Sequence, residues 1–362
     1  MKKLLMLLFV VLTLSCCVVS GQEKAGETGQ FSIMTWNINN LFDGNDDGNE
    51  YAEFLQSSGW SDEKYKGRLN SISAAIGTLS SLPDIIILQE VESLLVMEGL
   101  SNSLPRGYSW SHFANNPGSA IGLGILSRHP LLETRAHSVT IGEDTSPRPV
   151  LEARVNVRDE EIVIFANHWK SKIGGEVETE NARRASARTI LRRCREIREE
   201  EKHTGIIIAG DLNINHDDFF RRGMNQICAL LPDDLRSVKL LDSLSITEQK
   251  DFIVINGNKP PLPVNFPKET IVFYSPWMNE LENGSYYYKG NWETIDHFLV
   301  CGEFFNDAGW EYRKTIIIDF EPFAGSGLVP VQYNPRTGNG LSDHFPLLLT
   351  LFFSGGGGFS IQ

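Results

Sequence analysis

The chain has 362 residues and a formal net charge of −13. An acidic protein draws in no polyanion by its overall field, so a nucleic-acid ligand must be met by a local basic patch or through metal ions. Beyond the first 21 residues the cysteines are Cys194, Cys228 and Cys301, too widely spaced for a zinc site or a disulfide scaffold; buried free thiols are expected, with one bridge as the alternative.

Residues 1–21, MKKLLMLLFVVLTLSCCVVSG, set two lysines before an apolar run too short and too early for a membrane span. This reads as an export signal, either cleaved after the small residues Val19-Ser20-Gly21 or lipidated at Cys16 or Cys17. The expected location is periplasmic, extracellular, or anchored to the outer membrane, with any membrane contact made only through such a lipid. Removing Lys2 and Lys3 takes the formal charge from −13 to −15. No later stretch is long and apolar enough to span a bilayer. Residues 22–30 read as a short linker, residues 31–353 as one domain without internal repeats, and residues 354–362 as a glycine-rich tail.

FSIMTWNINNLF, Phe31 to Phe42, opens as a strand and ends on Asn37 and Asn39. The acidic loop from Asp43 to Glu50 imitates a calcium loop in its D-x-N-x-D-G opening. Its twelfth position is Phe54, with Glu53 one place early, so the bidentate ligand is missing and a solvated loop is the plainer reading. The spacing of Tyr65, Leu69, Ile72, Ala75, Ile76 and Leu79 predicts a helix from Asp62 to Leu79. PDIIILQEVE follows as a strand covered on both faces, with Glu90 at its exit. After a short helix come strands at Tyr108–Ala114, Ile121–Ser127, Thr134–Thr140, Val150–Val157 and Ile162–Asn167, the last running into NHWKSK, His168 to Lys172.

A long amphipathic helix is predicted from Asn181 to Lys202. Its buried stripe is Ala187, Ile190, Leu191, Cys194 and Ile197. Arg184, Arg188, Arg192 and Arg195 line another face, read either as a solvated surface paired with glutamates or as a phosphate track. IIIAGDLNIN, Ile206 to Asn215, then delivers Asp211 and Asn213 at the carboxyl end of a buried strand, where open α/β sheets hold ligands. A helical region is expected near Asp217 to Leu231, then a proline-rich loop. Tyr286, Tyr287, Tyr288 and Trp292 precede the strand Glu293–Val300; they either line a sheet or stack a ring of a substrate. The last strand runs from His344 to Phe353.

TWNINNLF, LQEVE, NHWKSK, GDLN, TIDHFLV and SDHFPL, in that order, resemble the endonuclease/exonuclease/phosphatase superfamily of metal-dependent phosphoesterases, over nearly the whole chain beyond the leader. The resemblance implies an α/β four-layer sandwich, two packed mixed β-sheets flanked by helices, with the site at one end. By motif match it makes Glu90 the principal metal ligand with Asn37 and Asp343. Asn39 stands where the family often has an acid and is grouped with substrate binding. Asp211 matches the residue that activates the attacking water, Asn213 the one that holds it, His344 the imidazole on the scissile phosphate and Asp296 its orienting carboxylate. His168 matches a second phosphate-binding or leaving-group position. Arg128, Lys170 and Lys172 are the expected phosphate contacts.

The chemistry agrees with these residue types. A phosphodiester is an anion that repels nucleophiles, so its hydrolysis needs a cation and a proton donor or acceptor at each oxygen. Oxygen donors suit Mg2+, with Mn2+ or Ca2+ as substitutes, and disfavour zinc. The NH-x-KSK element is similar to that of secreted bacterial nucleases of the superfamily, so the expected substrate is DNA or RNA, cut internally. The alternatives are a sphingomyelinase-like phosphodiesterase acting on a phospholipid head group, and a non-catalytic binding module of the same fold. No protein partner is expected.

Overall fold

The structure is a computed structural model that describes residues 29–146, 148–201, 203–241 and 251–354. The expected leader, most of the linker and the tail from residue 355 lie outside the described residues. No helix among the described residues is long and apolar enough to cross a membrane.

Runs of Ile, Val and Leu form two mixed sheets. The first has six strands in the order Gly309–Ile317, Leu347–Ser354, Gln30–Leu41, Ile85–Val91, Gly122–Ser127 and Trp110–Ala114. The second has eight, ordered Leu230–Pro232, Ile253–Asn256, Val272–Tyr274, Asp296–Val300, Gly205–Asp211, Glu160–His168, Val150–Val157 and Leu131–His137. At the centre of each sheet two strands run parallel: Gln30–Leu41 beside Ile85–Val91, and Glu160–His168 beside Gly205–Asp211. Their carboxyl ends therefore leave the sheets together, which is what brings the acid- and amide-bearing strand ends to one rim.

Strand periodicity divides the first sheet between two cores. Ile33, Ile85, Ile87, Leu123 and Leu349 meet Ile164, Ile207, Ala209 and Leu299 of the second sheet. Met34, Trp36, Ile86 and Leu88 turn the other way, onto Leu69, Ile72 and Ile76 of the helix Asp62–Gly77 and Val96, Met97 and Leu100 of the helix Leu94–Ser103. Ser61 caps the first of these helices by accepting from the Lys64 amide. The expected stripe of the long helix, now Glu180–Glu200, is buried from Ala187 to Ile197 in the core cluster that contains the second sheet. The four-layer α/β sandwich is thus present, and Cys194, Cys228 and Cys301 are buried free thiols within it.

Several elements differ from the sequence reading, which placed no strand at Ile253–Asn256, Val272–Tyr274 or Gly309–Ile317 and expected Thr134–Thr140 where the strand is Leu131–His137. Between Asp217 and Leu231 only Asp218–Arg221 is helical, because Gly223 and Met224 turn to φ 69° and 61° and the chain leaves as a short strand. The segment Glu293–Val300 is split: Glu293 closes a separate hairpin, Tyr286–Tyr288 against Asn291–Glu293, before the sheet strand begins at Asp296. Three of the four arginines lining the long helix's other face have carboxylate partners, Arg184 and Arg188 at Asp251 and Arg192 at Glu196, which favours the solvated-surface reading over a phosphate track.

That helix is pinned to the second sheet by a buried charge pair. Glu152, 2% exposed, accepts from Arg193 Nε at 2.8 Å and lies 2.7 Å from His137 Nε2. Burial alone would raise its pKa, but the bonds from His137 and Arg193 overcome this and hold the carboxyl down at about 2. The pair therefore stabilises the fold above the free carboxyl's range and is lost as the pH falls towards 2, a contribution of roughly 3 kcal/mol. Glu152→Gln is expected to lower the melting temperature by several degrees at pH 7 and to converge on the wild type only as both are taken to about pH 2 and below; equal melting at pH 7 would contradict this.

Candidate active site

The first strand carries Asn37 to the rim and then breaks out of regular pairing, with Asn39 and Asn40 at φ 56° and 61°. Glu90 stands at φ 66° in a register shift between Gln89 and Val91. Such backbone is costly for a residue with a side chain and persists only where neighbours enforce it. Here they do: Glu90 Oε1 accepts from Asn37 Nδ2 at 3.2 Å, and Oε2 from the Asn40 amide at 3.1 Å. The same Asn37 Nδ2 reaches Asp211 Oδ2 of the second sheet at 3.1 Å. One carboxamide thus ties an acid from each sheet.

Asp211 follows Gly210, whose φ is 128° and where a Cβ would fall 2.1 Å from the Asn167 carbonyl oxygen, so only glycine fits. Asp211 Oδ1 accepts from the Asn213 amide at 2.9 Å, and Asn213 Nδ2 donates to the Trp169 carbonyl at 3.1 Å. His168 Nε2 lies 3.7 Å from both Glu90 Oε1 and Asp211 Oδ2. Burial, then the charges of Arg148 and His344, push its pKa well below the ordinary histidine value, so its ring is neutral.

His344 arrives from the far end of the chain and is stitched to the first strand. Ser342 Oγ donates to the Asn37 carbonyl at 2.6 Å, the His344 amide donates to Ser342 Oγ at 3.0 Å, and Trp36 Nε1 donates to the His344 carbonyl at 3.0 Å. His344 Nδ1 lies 2.8 Å from Asp296 Oδ2, and because a carboxylate only accepts, that nitrogen carries the proton. Ser285 Oγ donates to the same oxygen at 2.6 Å. Burial opposes the imidazolium, but Asp296 outweighs it and lifts His344 to about 10. The ring is therefore a cation with Nε2 free to meet an anion.

Glu90, Asp211, Asp296 and Asp343 crowd this rim, three of them with their charges sensed by His344 or Glu90. Burial and then Asp343 push Glu90 up; burial and then Asp296 push Asp211 up. Asp296 Oδ1 is buried without a hydrogen-bond partner. Such an excess of buried negative charge fits a divalent cation. Ligand atoms of Asp211, Asp296 and His344 also lie within 4.8 Å of one another, but the cationic His344 ring carries a proton on both nitrogens and has no lone pair to give. The carboxylates of Glu90 and Asp343 suit a hard cation better; Asn37 now presents its NH2 group to Glu90, with its Oδ1 taken by the Asn39 amide, and would join them only by turning its carboxamide.

Three expected contacts lie elsewhere or are otherwise engaged, and a fourth stays at the rim. Asn39 Oδ1 accepts from the Tyr333 amide at 3.2 Å and holds a loop. Lys172 Nζ is 3.0 Å from Asp218, 3.1 Å from Glu176 and 3.5 Å from Glu293, a lysine locked among three carboxylates. Arg128 pairs with Asp84, at the start of the strand that ends in Glu90, so it belongs to the opposite end of the sheet. Lys170 stays at the rim with its Nζ 3.3 Å from the Ile173 carbonyl and no ion pair among the described residues. The cation absent from the sequence reading is Arg148. It donates to the Trp169 carbonyl and makes no ion pair among the described residues, and its charge is felt by Glu90, His168 and Lys170. It enters at the start of a strand that runs away from the rim, and motifs sought at strand exits pass it by.

A family model described as Endonuclease/Exonuclease/phosphatase family matches residues 32–243. No curated protein matches the chain. Similar solved structures include truncated TDP2 of Caenorhabditis elegans, 14% identical with a TM-score of 0.51, covering 89% of this chain and 98% of that one. The human Nocturnin catalytic domain with bound sulfate anion is 16% identical with a TM-score of 0.47, covering 90% and 95%. An endonuclease/exonuclease/phosphatase family protein from Leptotrichia buccalis is 15% identical with a TM-score of 0.45, covering 89% and 100%.

A cation that binds the folded rim alone must stabilise the fold by mass action, by about 2.7 kcal/mol at a hundredfold excess over its dissociation constant. Adding magnesium or manganese is expected to raise the melting temperature of the wild type by several degrees, and Glu90→Gln to abolish most of that rise. An equal rise in both proteins would place the ion elsewhere.

Proposed function

Because the chain belongs to the endonuclease/exonuclease/phosphatase family, whose members are generally metal-dependent phosphoesterases, we propose that it is an exported phosphodiesterase that hydrolyses nucleic acid, most simply by internal cuts. The observation that carries the reading is the meeting, at one rim, of the Asn37-linked acids Glu90 and Asp211 with the His344–Asp296 pair. Export rests on residues 1–21. A polyanionic substrate is supported by Arg148 and Lys170, two rim cations that no carboxylate neutralises among the described residues, beside a protein that is otherwise acidic.

The residues divide the work as follows. Glu90 and Asp343, with Asn37 once its carboxamide turns, would hold a divalent cation, which when bound would offset the phosphate's charge. Asp211, fixed by Asn37 and the Asn213 amide, accepts a proton from water as its oxygen forms the new bond to phosphorus. The Asn213 carboxamide, anchored by its NH2 group on Trp169, leaves its carbonyl oxygen for the same water. His344, kept cationic by Asp296, donates from Nε2 to a phosphoryl oxygen as charge grows there. His168, held neutral, can offer one N–H to a second oxygen. The bond to the leaving oxygen breaks and that oxygen takes a proton from solvent, giving one strand a phosphate end and the other a hydroxyl.

Asp211→Asn and His344→Ala are each expected to reduce hydrolysis by at least about a thousandfold, the scale of losing a positioned base or a charge stabiliser. A panel of plasmid, single-stranded DNA, RNA, sphingomyelin vesicles and inositol phosphates, each with magnesium and with chelator, tests the substrate. Metal-dependent cleavage of nucleic acid is expected. Turnover of vesicles with intact nucleic acid would overturn the substrate class, and undiminished rates in both variants would overturn the site.

A further inference from the structure

The hairpin Tyr286–Tyr288 against Asn291–Glu293 stands outside both main sheets, and its aromatic residues alternate between two faces. One face is structural: Tyr287 meets Trp292 at 5.0 Å between ring centroids, and Trp292 stacks on the buried Phe345 at 5.9 Å. The other face packs on no core. Tyr286 lies on the His344 ring at 4.5 Å, and Tyr288 stacks on Tyr286 at 6.0 Å with planes 13° apart. A row of rings therefore leads outward from the imidazole and ends on Tyr288, which is 52% exposed. Lys289 Nζ sits 5.0 Å from the Tyr288 ring centre. Lys289 and Gly290 turn the hairpin with φ 49° and 86°, the backbone of a tight two-residue turn that matches strand twist, so the platform is rigid before any ligand arrives.

We propose that Tyr288, backed by Tyr286, is a stacking platform for an unpaired nucleobase beside the scissile phosphate, so that the substrate is single-stranded or frayed nucleic acid. This rests on the nucleic-acid reading above. A base inside a duplex is already stacked on its neighbours and presents only its edges, whereas a free base can lay its face on a phenol ring. Lys289 supplies a positive charge where the next phosphate would pass. A lipid surface is less well matched, because the exposed end of this hairpin carries phenols, a lysine, a glycine and an asparagine but no aliphatic tip.

The test compares wild type, Tyr288→Ala and Tyr288→Phe on a single-stranded oligonucleotide, on the same strand with abasic residues on both sides of the cleaved bond, and on lipid vesicles. Tyr288→Ala is expected to lose about ten- to a hundredfold in kcat/KM on the base-bearing strand. It should change little on the abasic strand, and Tyr288→Phe should keep the wild-type rate on both. Equal fractional loss on the two strands, full activity of Tyr288→Ala on the base-bearing strand, or a defect confined to vesicles would each overturn the platform. If the wild type cleaves neither strand yet hydrolyses another phosphate ester, the nucleic-acid reading fails first and takes the platform with it.

Discussion

The rim is organised by one carboxamide. Asn37 Nδ2 donates at once to Glu90 and Asp211, and its own carbonyl oxygens are occupied by the Asn39 amide and Ser342. A half-buried and a buried carboxylate from different sheets repel each other, and so far from water such a pair is held together only by shared donors or by a cation. An aspartate at position 37 would add to that repulsion and an alanine would leave two acceptors unsatisfied, so a neutral double donor is the residue type the position requires. The parallel strands set the ends side by side, and Asn37 makes their proximity tolerable.

Around that link the structure spends backbone strain where the chemistry sits. Glu90 and Asn213 have positive φ, and each bends a strand exit so that a polar side chain faces the rim rather than the core, while Asn39 and Asn40, also at positive φ, turn the chain so that the Asn40 amide reaches Glu90. The strain is offset by the packed interior immediately behind, where Ile85 to Leu88 and Ile206 to Ala209 are fully buried. The two ends of the chain meet in the same way: Ser342, His344 and Trp36 bond across the rim, so a site drawn from distant segments is as fixed as the sheets that carry it.

Much of this was legible in the sequence because strands in open α/β sheets deliver ligands at their exits. Asn37, Glu90, His168, Asp211, Asp296 and His344 each stand at the edge of an apolar run, and the structure gathers all six. The same habit of reading explains the errors. Arg148 comes to the rim from a segment that enters a strand, where no apolar run points to it. Lysine and arginine contacts were less legible than acids because a long side chain's partner depends on tertiary neighbours: Lys172 turns inward to Asp218, and Arg128 follows its strand to the opposite end. Helix length past Asp217 failed for a local reason, the left-handed turn at Gly223 and Met224, which apolar spacing does not register.

The central claim is that the carboxylates joined through Asn37 form a seat for a divalent cation, and anomalous diffraction from crystals soaked in manganese tests it most directly. The account predicts a peak in ligand contact with a Glu90 carboxylate oxygen, accompanied by a rotation or displacement of Asn37 or Asp343 that completes the set. A peak at the acidic loop around Asp47 and Glu50 with none beside Glu90 would contradict it.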